Sequence, residues 1–171
     1  MTADRNAAFS SSDVTAIVGI TPIYLNALVH RKLYGIAASI SDRHGEMKIR
    51  IFSEEDVFGI ALVWTLFESG LRTQSIREIL LQLVETDEPD ANVAAEYLSR
   101  SGPAHLVIIR EPSKSKKKKT ANLLVEPTLT DDLVDLVENA VAEHRTATIL
   151  LVPVGARFAE IENKIKRMYR E

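Results

Sequence analysis

The chain has 171 residues, 46% hydrophobic and 26% charged, an ordinary globular composition with enough apolar side chains for a buried core. Its 21 Lys and Arg stand against 24 Asp and Glu, and the formal charge of -3 excludes a basic coat over the whole surface but not a local basic face. Cysteine is absent, which excludes disulfides, thiolate metal sites and a cysteine nucleophile.

Residues 1–10 read as a disordered lead, polar and without the apolar stretch of a secretory signal. Ser11 or Ser12 then stands where a helix N-cap belongs, before the apolar positions Val14, Ile17 and Val18. Gly19 ends that run. Thr21 and Pro22 open a second helix, as cap and first helical residue, which continues through Ile23, Leu25, Leu28 and Val29 to about Lys32. Two short helices joined by a tight glycine-containing turn form a helix-turn-helix pattern. Ala38–Ser41 and Met47–Ile51 alternate in period two around a turn at 42–46, which predicts a two-stranded wing. Ser53 caps a longer helix with three acids in its first turn and Val57, Ile60, Ala61, Trp64 and Phe67 at helical spacing. Gly70 breaks it, and Thr73 to about Val84 forms another helix.

An acidic break at 85–89 precedes a helix at Ala91–Arg100, ended by Gly102-Pro103. Beyond it the pattern changes to a strand at 106–109, a lysine-rich turn at 111–120 and a second strand at 123–125. A helix follows at Leu129–His144, capped by Thr130. Then come a strand at Thr148–Val152, whose lack of charge predicts an internal position, and a helix at Ala156–Tyr169. The predicted fold class is mainly α with a small α/β part: an N-terminal winged helix-turn-helix and then a β-β-α-β-α module. The predicted units are a lead at 1–10, a winged-helix domain at 11–84, a connecting helix at 85–103 and an α/β module at 104–171.

Several segments together resemble the MerR family of bacterial transcription regulators. They are Ser12-Asp13-Val14, Val18-Gly19-Ile20-Thr21, Leu25, Arg31-Lys32-Leu33, Ile51 to Val57, Leu66 to Leu71 and Ile76 to Leu80. Their order and spacing, more than any one of them, carry the likeness, which covers 11–84. The resemblance implies a homodimer on an inverted-repeat site in double-stranded DNA, with the second helix in the major groove and the wing on the flanking backbone. By position, Thr21, Ile23, Tyr24, Asn26, Ala27, His30 and Arg31 then belong to the recognition helix and its end, and Arg43, His44, Lys48 and Arg50 to the wing. Two departures stand out. Asn26-Ala27-Leu28 replaces the family's arginine and aromatics, and a helix of about ten residues stands where members dimerise through a long one. The C-terminal module is therefore the better dimerisation element, and it is also where a protein or small-molecule effector would bind.

Between Arg31 and Arg50 five basic residues face two acids, a local charge of +3 suited to phosphate. The same charges would also simply solvate an exposed hairpin. The run Lys116–Lys119 reads as a solvated loop tip before it reads as a phosphate grip, because no aromatic residue interleaves for base stacking. Trp64 and Phe67 read as packing beneath the second helix before they read as a ligand pocket. His30, His44, His105 and His144 lack metal-ligand spacing, and Asp131, Asp132, Asp135 and Glu138 read as a solvated helix face. No phosphate-cradling glycine loop and no nucleophile–base–orienter set is legible, so neither an enzyme nor a cofactor or metal is expected. No apolar run approaches the roughly 20 residues of a membrane span, and a cytoplasmic location is expected. The runner-up function is a protein-interaction adaptor or architectural factor whose winged helix does not read sequence.

Overall fold

A two-residue strand, β1 (Phe9–Ser10), runs straight into helix α1 (Ser11–Val18). Ser10 is the N-cap. Its hydroxyl accepts from the Asp13 backbone N–H at 3.3 Å, and Asp13 Oδ2 accepts from the Ser10 N–H at 2.8 Å, a reciprocal capping box. The cap thus stands before the expected Ser11 or Ser12, and Phe9 and Ser10, expected in a disordered lead, form β1. Phe9 is buried and pairs with Phe52, a contact that two residues of sequence carry no periodicity to announce. The structure, a computed structural model, describes residues 8–36, 38–43, 47–84, 87–100, 104–111, 123–144 and 146–170, without the side chains of 40–43, 47 and 48.

Gly19 adopts φ 75° and returns its N–H to Thr15 O, closing α1 with a left-handed cap. Helix α2 (Pro22–His30) follows at once, and the two helices turn through 116°. It stops two residues short of the expected Lys32 because Lys32 and Tyr34 take φ of 46° and 60° around a 3-10 turn at Leu33–Gly35. Left-handed φ is unfavourable for both side chains. Burial of the Tyr34 ring and its hydroxyl's hydrogen bond to Thr73 O at 3.1 Å hold it there.

Strands β2 (Ser39–Arg43) and β3 (Met47–Phe52) form the expected hairpin, and β1 adds to the other edge of β3. Helix α3 (Glu54–Glu68) opens on a second capping box, Ser53 with Asp56. Helices α4 (Thr73–Val84) and α5 (Ala91–Arg100) stand where periodicity puts them, and Asp90 Oδ1 caps α5 by accepting from the Asn92 and Val93 N–H groups. Helices α3 and α5 pack closely at Gly59, where a Cβ would meet Asn92 Oδ1 at 2.1 Å and the α5 backbone at about 3 Å. Glycine inside a helix weakens it by roughly 0.5–1 kcal/mol, so the close approach is its reason for being there. Gly59→Ala is expected to lower stability by about 1–3 kcal/mol through overpacking, read as a lower urea midpoint at unchanged m-value.

The second sheet has the order β5-β4-β6, all antiparallel, from β4 (Ala104–Arg110), β5 (Leu123–Leu129) and β6 (Thr148–Val152). Here two expectations are corrected. β5 runs on to Leu129, which pairs with Ala104, so the helix expected from Leu129 with a Thr130 cap begins later, as α6 (Leu133–Glu143). Asp131 and Asp132 lie in the turn before it, and no side chain caps it. Strand β6, expected to be internal, is an edge strand among the described residues: the centre of the sheet is β4. The last helix, α7 (Val154–Met168), starts two residues before the expected Ala156.

Leu106 and Ile108 of β4 face the main core, while Val107 and Ile109 face Leu133, Leu136 and Ala140 of α6. The main core is one cluster running from Phe9 through α1 to α5 and on to Val154, Phe158, Ile161 and Ile165 of α7, so residues 11–84 and 104–171 share it. Among the described residues the chain is mainly helical, with seven α-helices and two small antiparallel sheets. Among those residues no single helix is long and apolar enough to cross a membrane.

Candidate nucleic-acid interface

The surface built around α2 is held from below by aromatic rings. Tyr24 is half-buried, with its ring 5.1 Å from Trp64 edge-on and 4.6 Å from Phe67, while Trp64 and Phe67 stack at 5.6 Å. Burial pushes the Tyr24 hydroxyl's pKa up. These rings support α2, and Leu25 and Leu28 anchor the rest of its inner face. Thr21 caps the helix by accepting from the Tyr24 N–H at 3.3 Å. On the outside stand Thr21, Asn26, His30 and Arg31, all exposed, with Ala27 half-buried and Ile23 83% exposed. An isoleucine that open at the start of a helix gains nothing from the fold itself.

Two of the residues singled out by sequence meet across the two motifs. Arg50 of β3 donates from Nη1 to Asn26 Oδ1 at 2.5 Å. The bond brings the hairpin and α2 onto one surface and fixes the guanidinium beside the outer face of the helix. It takes one of the two lone pairs of Asn26 Oδ1 and leaves the other lone pair and the Nδ2 amide free of that bond, the two groups a bidentate adenine contact uses. Of the other hairpin residues, Arg43 and Lys48 are placed in β2 and β3 by backbone only, with Asp42 opposite Lys48 and Arg43 opposite Met47. His44 and the run Lys116–Lys119 lie outside the described residues.

The sequence reading missed what holds α1. Arg157 of α7 donates from Nη2 to Val18 O at 2.5 Å, and Lys164 Nζ donates to Ile17 O at 3.0 Å, so two cations cap the carboxyl end of α1 next to the Gly19 turn. Glu160 joins them, accepting from Arg157 Nη1 at 2.6 Å and from Lys164 at 2.7 Å. A charge pattern of Arg157, Glu160 and Lys164 beside the apolar stripe of α7 is the one signal that pointed to it, and it gives no target 139 residues away.

Hydrogen bonds from Lys164 and Arg157 hold the Glu160 carboxyl below the usual carboxylate range. A carboxylate depressed in the folded state stabilises above its unfolded pKa, and that contribution disappears as pH falls through the folded pKa. Glu160→Gln is therefore expected to lower the melting temperature at neutral pH, with the gap to the native chain closing in acid. The side chain is half exposed, so the effect is under about 1 kcal/mol.

A cleft of about 850 Å³ lies between α3, α5, the start of β4 and α7, floored by Phe58 and Phe158 and rimmed by Glu54, Glu55 and Glu162. Burial, then Glu162 and Glu55, push the Glu54 carboxyl up. α7 thus walls this cleft and also grips α1. His105 lines the cleft, and His144 pairs with Glu111 at 2.8 Å. Among the described residues no group of three His, Cys, Asp or Glu is placed to hold a metal ion. Neither the family models nor the curated proteins contain a match to this chain.

Proposed function

We propose that this chain is a MerR-like winged-helix regulator that binds double-stranded DNA sequence-specifically, as a homodimer on an inverted repeat. The observation that carries the reading is the single outer surface on which Thr21, the cap of α2, and Ile23, Asn26 and His30 within it stand beside Arg50 of the hairpin. The 116° turn between α1 and α2 suits it, because helix-turn-helix pairs meet at about 90–120°. On this reading Arg50 and the other hairpin cations neutralise phosphates. Ile23 offers apolar contact to a thymine methyl, and Asn26 contacts a base edge beside Arg50. An effector at the C-terminal module would act through α7.

The test is selection of source-genome fragments by the purified full-length protein near physiological salt, read by sequencing. One enriched inverted repeat supports the reading, and its half-site spacing reports the dimer geometry. Weak enrichment without sequence preference favours an architectural factor. The exposed Ile23 favours a second reading, a protein-interaction adaptor, and no binding by folded protein would select it.

A further inference from the structure

The edges of the two sheets are not alike. In the first sheet, β1 offers two residues and β2 carries Asp42 and Arg43. In the second, β5 carries Glu126 and Pro127, a charge and a residue with no N–H to donate. Such devices keep an exposed strand from pairing with another chain. β6, Thr148-Ile149-Leu150-Leu151-Val152, has none of them, and no described strand pairs with its outer side. Its composition is that of an internal strand, yet a single chain leaves it at an edge.

We propose that β6 is internal in a dimer: it pairs antiparallel with β6 of a second copy, joining the two sheets into one of six strands. The proposal deepens the homodimer reading above by naming the interface. A twofold axis perpendicular to the sheet keeps each residue on its own face, so opposed positions differ by an even number. Centring the axis on Leu150 uses all five residues, with Leu150 opposite itself and Ile149 of one copy opposite Leu151 of the other. The absence of charge matters for self-pairing, since a charged position would meet a like charge directly or diagonally. Ile149 and Leu151 share a face with Ile109 and Val107, their partners on β4, and that face is the one α6 covers. But α6 packs over β4 and β5 and leaves Leu151 43% exposed. The second copy supplies the missing cover, because its own Ile149 and Leu151 continue the same apolar face.

The measurement is sedimentation of the full chain without DNA, over about 1–100 µM protomer. The native chain is expected to be a dimer, and Leu151→Glu to raise its dissociation constant by at least about a hundredfold, since the carboxylate would be buried against Ile149. Leu124→Glu, equally exposed on the β5 edge, should leave the dimer intact. Because the native chain has no cysteine, a single Leu150→Cys should also join two copies through a disulfide under mild oxidation, and Leu124→Cys should not. That crosslink keeps the proposal testable where Leu151→Glu fails to fold. A native monomer throughout the range overturns both the seam and the homodimer. A native dimer that tolerates Leu151→Glu, or a Leu150→Cys chain that stays uncrosslinked, overturns the seam alone. Either result leaves the DNA reading to its own test.

Discussion

Changing Arg43, Lys48 and Arg50 together to alanine is expected to weaken binding to any duplex by about 10²–10³, whatever its sequence, with the salt slope shallower by about 2–3. Counterion release sets the size of the effect: each phosphate neutralised contributes about 0.9 to the slope of log affinity against log salt. Three hairpin cations that each meet a phosphate account for both the lost affinity and the lost slope. The measurement is affinity for a selected site and for an unrelated duplex at several salt concentrations. Unchanged affinity and slope would remove the hairpin from the interface and favour the adaptor reading. Asn26→Ala bears on the two roles proposed for that residue. Loss of a base contact alters preference at one position of the site by about 1–3 kcal/mol. Release of Arg50, the group now held at 2.5 Å, would instead change affinity across all sequences equally.

That bond shows where reading the sequence succeeds and where it stops. α3, α4 and α5 begin and end within a residue of their expected limits, because caps such as Ser53 and breakers such as Gly70 act on neighbours. The hairpin was legible from its alternation. Trp64 and Phe67 do pack beneath the second helix as expected, but most of what distant residues set was missed. Phe9 joins the core only because β3 lies beside it, and β5 continues past Val125 only because β4 offers partners as far as Ala104. In the candidate interface, sequence position nominated Asn26 and Arg50 separately, but they stand 24 positions apart on a helix and a hairpin, and no local pattern encodes their contact. β6 is the informative failure. Its composition described an environment that one chain does not provide, and a burial argument made on a single chain cannot tell a buried strand from one buried by a second copy.

The clamp on α1 leads to the second large effect. Arg157→Ala is expected to destabilise the chain by about 1–3 kcal/mol, because it strips a charged donor from Val18 O and half the partners from Glu160. For a chain of this length that lowers the melting temperature by roughly 2–4 °C per kcal/mol. Lys164 still holds Ile17 O, so α1 should stay folded but lose its fixed position at the turn into α2. Affinity for DNA should then fall at temperatures where the variant is fully folded, with the salt slope unchanged, since no phosphate contact has been removed. A reduced slope would place Arg157 on the DNA instead. Arg157→Lys offers a compact charge without the two-sided fork that reaches Val18 O and Glu160 together, so it should recover only part of both effects. If stability falls while affinity does not, α7 serves the core alone. If both fall together, α7 positions the helix pair, and the C-terminal module has a physical route to the candidate interface: a change that moves α7 pulls on the last carbonyls of α1, one residue before the turn that aims α2.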